Sequence, residues 1–232
     1  MKATSLDNYS IKATSHHGVP TMPAERVTSK SPWHVIFVID DSGSMSGPPA
    51  SDVNQAMETM IEEMRLLSQG KKSYFKISVI SFGSDSKILS KAQSETQINL
   101  DTVTRFVGNS GSTNAAAALS DALQILTSNS GAQTDFEPFV FFLSDGAPDN
   151  KELALDAGGR IKSLSIPAGT PRIVTVGFGQ PNDQFMTALA TTPELYKRLT
   201  VSSEIRAFLP AIGTVAGTNT GADGVAKAIM QL

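Results

Sequence analysis

Val35-Ile36-Phe37-Val38-Ile39 is an unbroken run of large apolar residues that stops against Asp40-Asp41-Ser42-Gly43-Ser44-Met45. Residues of this kind, β-branched at most positions, suit a strand covered on both faces, the normal state of a central parallel strand in an α/β sheet. The polar stretch then becomes the loop at that strand's carboxyl end. In open α/β sheets ligands bind along that edge, because the loops leaving neighbouring strands converge there around a crevice.

The loop offers oxygen only: a carboxylate at Asp40 and hydroxyls at Ser42 and Ser44, with Gly43 free to let the backbone turn sharply. Such a set suits a small hard dication. Mg²⁺ takes near-octahedral oxygens at about 2.1 Å and gives up its waters reluctantly, so neutral hydroxyls with water-bridged carboxylates match its habits. One loop cannot complete that shell. Two later segments supply further oxygen donors, Gly111-Ser112-Thr113-Asn114 and Leu143-Ser144-Asp145-Gly146. Each also has a plainer explanation: Thr113 precedes the alanine-rich stretch from Ala115 and suits a helix N-cap, and Asp145 before glycine suits an ordinary turn.

Taken in order, Asp40-x-Ser42-x-Ser44, Thr113 and Asp145 resemble the metal-ion-dependent adhesion site of the von Willebrand factor A domain family. The surroundings match as well: an apolar strand before the first segment, Gly-Ser-Thr-Asn at the second and Phe141-Phe142-Leu143-Ser144-Asp145-Gly146 at the third. The resemblance covers roughly residues 31 to 216. It implies that Ser42 and Ser44 bind Mg²⁺ directly, with Mn²⁺ or Ca²⁺ as alternatives, and that Thr113 binds directly or through water. Asp40 and Asp145 would hold coordinated waters and orient the serines. It implies further a protein partner whose carboxylate fills the open coordination position. The Asp-Asp-Ser-Gly-Ser-Met-Ser-Gly stretch and the layout resemble the bacterial tellurite-resistance type. That would place the chain in a stress-response or defence system beside a kinase or phosphatase.

Composition narrows the classes. Hydrophobic residues at 40% and charged residues at 18% describe a folded globule. A formal charge of −3 without a clustered basic stripe argues against a nucleic-acid surface. Lys71-Lys72 reads as charge facing a helix carboxyl end. Cysteine is absent, which excludes disulfides, thiolate zinc sites and cysteine nucleophiles and favours a cytoplasmic location. No window approaches the roughly 18 apolar residues of a membrane span.

Along the chain, residues 1–30 lack a sustained period and read as a mobile or extended arm. His16 and His17 there are adjacent and diverge in an extended chain, so they do not read as a metal pair. Residues 31–216 form the domain. Val53, Met57, Met60, Ile61, Met64 and Leu67 recur at helical spacing, the methionine stripe reading as core. Tyr74 to Phe82 reads as the second strand, with Lys87-Ile88-Leu89 as an antiparallel edge partner through a hairpin. Leu100, Val103 and Phe106 suggest a short helix. Pro138-Phe139-Val140-Phe141-Phe142-Leu143 is the second central strand, and Asp149 is expected to cap a helix running through Leu153 to Leu164. A strand at Arg172 to Gly179, a helix at Gln184 to Leu189, a last strand at Leu199 to Val201 and a helix at Ser203 to Val215, kinked at Pro210, complete the pattern. Residues 217–232 are a tail with an apolar end whose role stays open.

This alternation predicts a three-layer, doubly wound α/β fold of the von Willebrand factor A, Rossmann-like kind. Its central sheet is mostly parallel with one antiparallel edge strand, and helices cover both faces. The functional expectation is a metal-dependent protein-binding module, not an enzyme, without nucleic acid or membrane as partner. A metal-dependent hydrolase, or a structural subunit of a chelatase-like or ATPase-linked complex, is the alternative. The hydrolase lacks support from motifs: the histidines lie before the core or on the first strand, no Gly-x-Ser-x-Gly elbow occurs, and no phosphate-cradling Gly-x-x-x-x-Gly-Lys loop is present.

Overall fold

The strand at Trp33–Asp40 (β1) is buried along its whole length, as its continuous apolar run requires. In the computed structural model, which describes residues 27–68, 74–218 and 221–232, β1 lies near the middle of a six-stranded sheet of order β3-β2-β1-β4-β5-β6. The other strands are Phe75–Phe82 (β2), Ser86–Ser94 (β3), Phe136–Ser144 (β4), Arg172–Gly177 (β5) and Tyr196–Arg198 (β6). All neighbours pair in parallel except β3, which runs antiparallel to β2. The expected arm at residues 1–30, with His16 and His17, falls almost entirely outside the described residues, as does the Lys71-Lys72 pair.

The helices are Pro48–Leu67 (α1), Leu100–Val103 (α2), Ala115–Ser128 (α3), Lys151–Lys162 (α4), Asp183–Leu189 (α5), Ile205–Thr218 (α6) and Gly221–Gln231 (α7). Alternation along the central strands sorts side chains into two cores. Val35, Phe37 and Ile39, with Phe139 and Phe141 of β4, pack against α1, α6 and α7. Ile36 and Val38, with Val140 and Phe142, pack against α3, α4 and α5. The result is three layers with helices on both faces of the sheet, the architecture expected from the alternation of strands and helices. Trp33 anchors the amino-terminal end of the sheet, its ring 5.2 to 6.5 Å from those of Phe75, Phe136, Phe139 and Phe141. Among the described residues no helix is long and apolar enough to cross a membrane.

Several local expectations need correction. The cap of α4 is Asn150, whose side chain accepts from Leu153 N at 3.1 Å, while the Asp149 carboxylate accepts from Thr113 N at 3.1 Å. A cap must reach the amide three residues on, and Asn150 holds that register. The last strand is Tyr196–Arg198, not 199–201, because these residues pair with Thr175, Val176 and Gly177. Leu199 only continues the ladder with one bond to Gly177 O, and its side chain turns into the core. The tail beyond residue 216 contains α7, which buries Val225, Ala226 and Ile229.

α1 starts right after the candidate metal loop, with Pro48 and Pro49 in its first turn. Its start is latched to the other end of the chain. The buried Asp52 carboxylate accepts from Ser202 Oγ and Arg206 Nε, and pairs also with the second guanidinium nitrogen of Arg206. Removing Arg206 leaves a carboxylate without its cation in a site that is 2% exposed. Because Arg206 itself is half exposed, Arg206→Ala is expected to cost about 1–2 kcal/mol in urea unfolding. In a double-mutant cycle with Asp52→Ala the two losses should be clearly less than additive; additive losses would mean the pair is not coupled.

Candidate metal centre

Asp40 ends β1 fully buried, with both carboxylate oxygens engaged. Ser42 N donates to Oδ1 at 2.9 Å, and Ser144 Oγ, from the end of β4, donates to Oδ2 at 2.6 Å. The loop then makes a single turn of tight helix at Gly43–Met45. This turn brings Ser42 Oγ and Ser44 Oγ to 3.1 Å of each other, and Ser44 Oγ donates to Asp145 Oδ1 at 2.7 Å. Residues from the ends of β1 and β4 thus form one connected set of oxygens. Two adjacent vertices of an octahedron with bonds of about 2.1 Å lie about 3 Å apart, the separation of the two serine hydroxyls.

The third loop is joined by main chain. Gly43 N donates to Gly111 O at 3.0 Å, while Thr113 exchanges two bonds with Asp149, accepting at its carbonyl from Asp149 N at 3.0 Å. Thr113 is half-buried, and its hydroxyl has no hydrogen-bond partner among the described residues. It is not the helix cap: Asn114 takes that role for α3, accepting from Ala117 N at 3.3 Å. The structure therefore joins Asp40, Ser42, Ser44 and Asp145 by side-chain and short main-chain bonds, and brings the Thr113 loop against both others.

Asp41, which is not among the candidate metal residues of the sequence, organises the neighbouring segment. Its Oδ1 accepts from Val107 N at 2.8 Å and Gly108 N at 2.7 Å, and its Oδ2 from Ser110 Oγ at 2.8 Å. Asn54 of α1 clamps Phe106 from the other side, through both its amide groups. Gly108 has φ +68°, and a Cβ there would lie 2.1 Å from Ser46 N. Only glycine permits so close an approach of the two loops. The partners of Asp41 lie some 66 residues downstream, so no local spacing signals the role.

Electrostatics set this edge apart. Burial pushes the Asp40 carboxyl up from 3.8 to about 6, against the opposing bonds from Ser144 and Ser42 and with a further push from Asp145. Burial also raises Asp145, opposed by the bond from Ser44. Neither acid has an ion-pair partner among the described residues. A buried acid pair without a cation, next to hydroxyls at coordination spacing, fits a divalent ion better than any neutral ligand. Among the described residues no group of three or more histidines, cysteines and carboxylates could hold a metal, so the candidate set is this mixed one of hydroxyls and acids.

The linkage has a defined sign. The unfolded chain loses the Asp40 proton near pH 4, whereas the folded protein keeps it to about 6. Folding is therefore penalised progressively between those values and fully above pH 6, by an amount on the order of 3 kcal/mol. In chelator, Asp40→Asn should be more stable than the parent at pH 7, by about 1–3 kcal/mol in urea unfolding, with the gap closing below pH 4. A gap that is the same at pH 4 and pH 7 would show that burial of the charge is not its cause. Separately, Asp41→Ala frees three donors of residues 107–110, and should cost about 2–3 kcal/mol and speed amide exchange at Val107 and Gly108. Unchanged exchange there would refute the clamp.

The model of the von Willebrand factor type A domain matches residues 34–210. A von Willebrand factor A domain-containing protein of Dictyostelium discoideum is 28% identical over 165 residues, which span 69% of this chain and 16% of that protein. The chain thus corresponds to under a fifth of the length of such relatives. Among solved structures, the pilus adhesin SpaC from Lactobacillus rhamnosus GG in its open conformation superposes with TM-score 0.67 at 14% identity, covering 90% of this chain and 31% of that one. Proximal thread matrix protein 1 from the mussel byssus, with a zinc-occupied adhesion motif, superposes with TM-score 0.59 at 13% identity, covering 82% of this chain and 47% of that one.

Proposed function

The chain belongs to the von Willebrand factor type A domain family, and from that premise we propose that it is a metal-dependent protein-binding module that captures an acidic residue of a partner protein. Domains of this family are commonly metal-dependent interaction modules. The observation that carries the reading is the run of oxygens Ser42 Oγ, Ser44 Oγ and Asp145 Oδ1 at 3.1 and 2.7 Å beside two buried acids without a cation. The mussel protein, similar in fold and with a zinc-occupied adhesion motif, supports a divalent ion at such a motif.

In this reading Ser42 and Ser44 present neutral hydroxyls to Mg²⁺, or to Mn²⁺ or Ca²⁺, and the free Thr113 hydroxyl adds a third. Asp40, held on both oxygens by Ser42 N and Ser144 Oγ, fixes the loop and offsets the ion's charge from behind. Asp145 orients Ser44. When bound, the dication supplies Lewis acidity and an open coordination position for a partner carboxylate. A cytoplasmic setting rests on the absence of cysteine, and a stress-response or defence system of the tellurite-resistance type with a kinase or phosphatase as partner rests on the sequence resemblance alone.

Calorimetric titration with Mg²⁺ and Mn²⁺ tests the site, and a pull-down from the native source with and without chelator tests the capture. Ser44→Ala and Thr113→Ala should each weaken metal binding about 10- to 100-fold and abolish chelator-sensitive capture. Equal metal binding by parent and Ser44→Ala, or capture that ignores chelator, would overturn the proposal.

A further inference from the structure

A cleft of about 390 Å³ opens beside the candidate metal centre, between β3 and the segment that follows α2. Its walls include Lys87 and Ile88 from β3, then Arg105, Val107 and Ser110. Cleft and centre share a wall. Ser110 O accepts from Ser84 N at 2.7 Å, and the next residue, Gly111, accepts from Gly43 N of the metal loop at 3.0 Å.

The cleft is cationic in a chain whose net charge is −3. Lys87 and Arg105 are exposed, and neither has an ion-pair partner among the described residues. Asp41 is the carboxylate that lines the cleft, and its oxygens are already committed to Val107 N, Gly108 N and Ser110 Oγ. It therefore offers the two cations little competition. Ile88 and Val107 stand 39% and 54% exposed at the rim, where they can cover the methylene stem of an entering side chain. Charge and shape together match an acidic peptide better than nucleic acid, which needs a longer basic surface.

We propose that this cleft receives a second acidic side chain of the same partner segment whose first carboxylate completes the metal shell. The segment crosses the crest at Val107 and presents that second carboxylate to Lys87 and Arg105. The inference rests on the metal-dependent reading above and adds to it a contact that no ion mediates. Specificity then follows from the spacing of two acids in the partner, since one carboxylate alone engages only half of the surface.

The test titrates a hexaglutamate peptide into the ¹⁵N-labelled full chain, in Mg²⁺ and in chelator, and follows amide shifts. The expected result is shifts at Lys87, Ile88, Arg105 and Val107 in both conditions, with tighter binding in Mg²⁺ and weakening as salt rises. Lys87→Glu/Arg105→Glu should weaken peptide binding at least about tenfold, with calorimetric Mg²⁺ affinity unchanged. The neutral Lys87→Gln/Arg105→Gln pair should fall between the two. Shifts confined to residues 40–46, 113 and 145 would overturn the cleft and leave the metal reading standing. Cleft shifts that Mg²⁺ does not strengthen would uphold the acidic-peptide site and count against the metal reading. No shift in either condition overturns the inference, and inorganic phosphate moving the same amides at lower concentration than the peptide overturns the carboxylate assignment.

Discussion

Burying a carboxylate at the end of an apolar strand is the constraint on which the rest of this edge depends. β1 is covered on both faces along its length, so Asp40 emerges where water is already excluded. Desolvation of the charge outweighs the two bonds that Ser42 N and Ser144 Oγ donate to it. Those bonds tie the β1 loop to the end of β4, and Asp145, next along that strand, adds a second acid to the same small volume. Ser44 then bridges the two ends by donating to Asp145. The arrangement is ordered in its backbone and unsatisfied in its charge, the condition under which a hard cation contributes most.

The sheet centre was readable from sequence for the same physical reason. Strands buried on both faces read as continuous apolar runs, and β1 and β4 stand out as such. Edge strands carry no such mark. The outer half of β3, Ser90 to Ser94, is polar, and β6 is the half-exposed Tyr196–Arg198, so a pattern search moves to the more apolar residues just beyond it. Helix starts were legible in kind but not in register: Asn99, Asn114, Asn150 and Asn182 all cap, and the reading of Asp149 as a cap missed by one residue.

The candidate site divides in the same way. Asp40, Ser42, Ser44 and Asp145 lie in short segments set against buried strands, so their convergence follows from the fold class. What holds the third loop against them is non-local. The Asp41 clamp on residues 107–110, the Asn54 clamp on Phe106 and the close approach at Gly108 each join positions more than 50 residues apart. In sequence Asp41 and Gly108 look like ordinary loop residues and Asn54 like an ordinary helix residue. The structure also frees Thr113 from the plainer explanation, because the neighbouring Asn114 takes the cap.

The placement of His34 bears on what the serine hydroxyls do. It is the histidine among the described residues, six positions from Asp40 along an extended strand, a separation of about 20 Å. Its Nε2 is paired with Ser78 Oγ at 2.9 Å, and burial together with nearby Lys76 pushes its pKa down to about 4, so it is neutral at pH 7. The His34 imidazole is therefore out of reach of Ser44 by several hydrogen-bond lengths. The partner of Ser44 is instead the Asp145 carboxylate, to which it donates at 2.7 Å. The separation of the Ser42 and Ser44 hydroxyls from each other is the spacing that shared coordination asks for, and the acids behind them are placed to orient and to neutralise. On the proposed reading, these loops hold an ion and leave a position open for a partner's carboxylate.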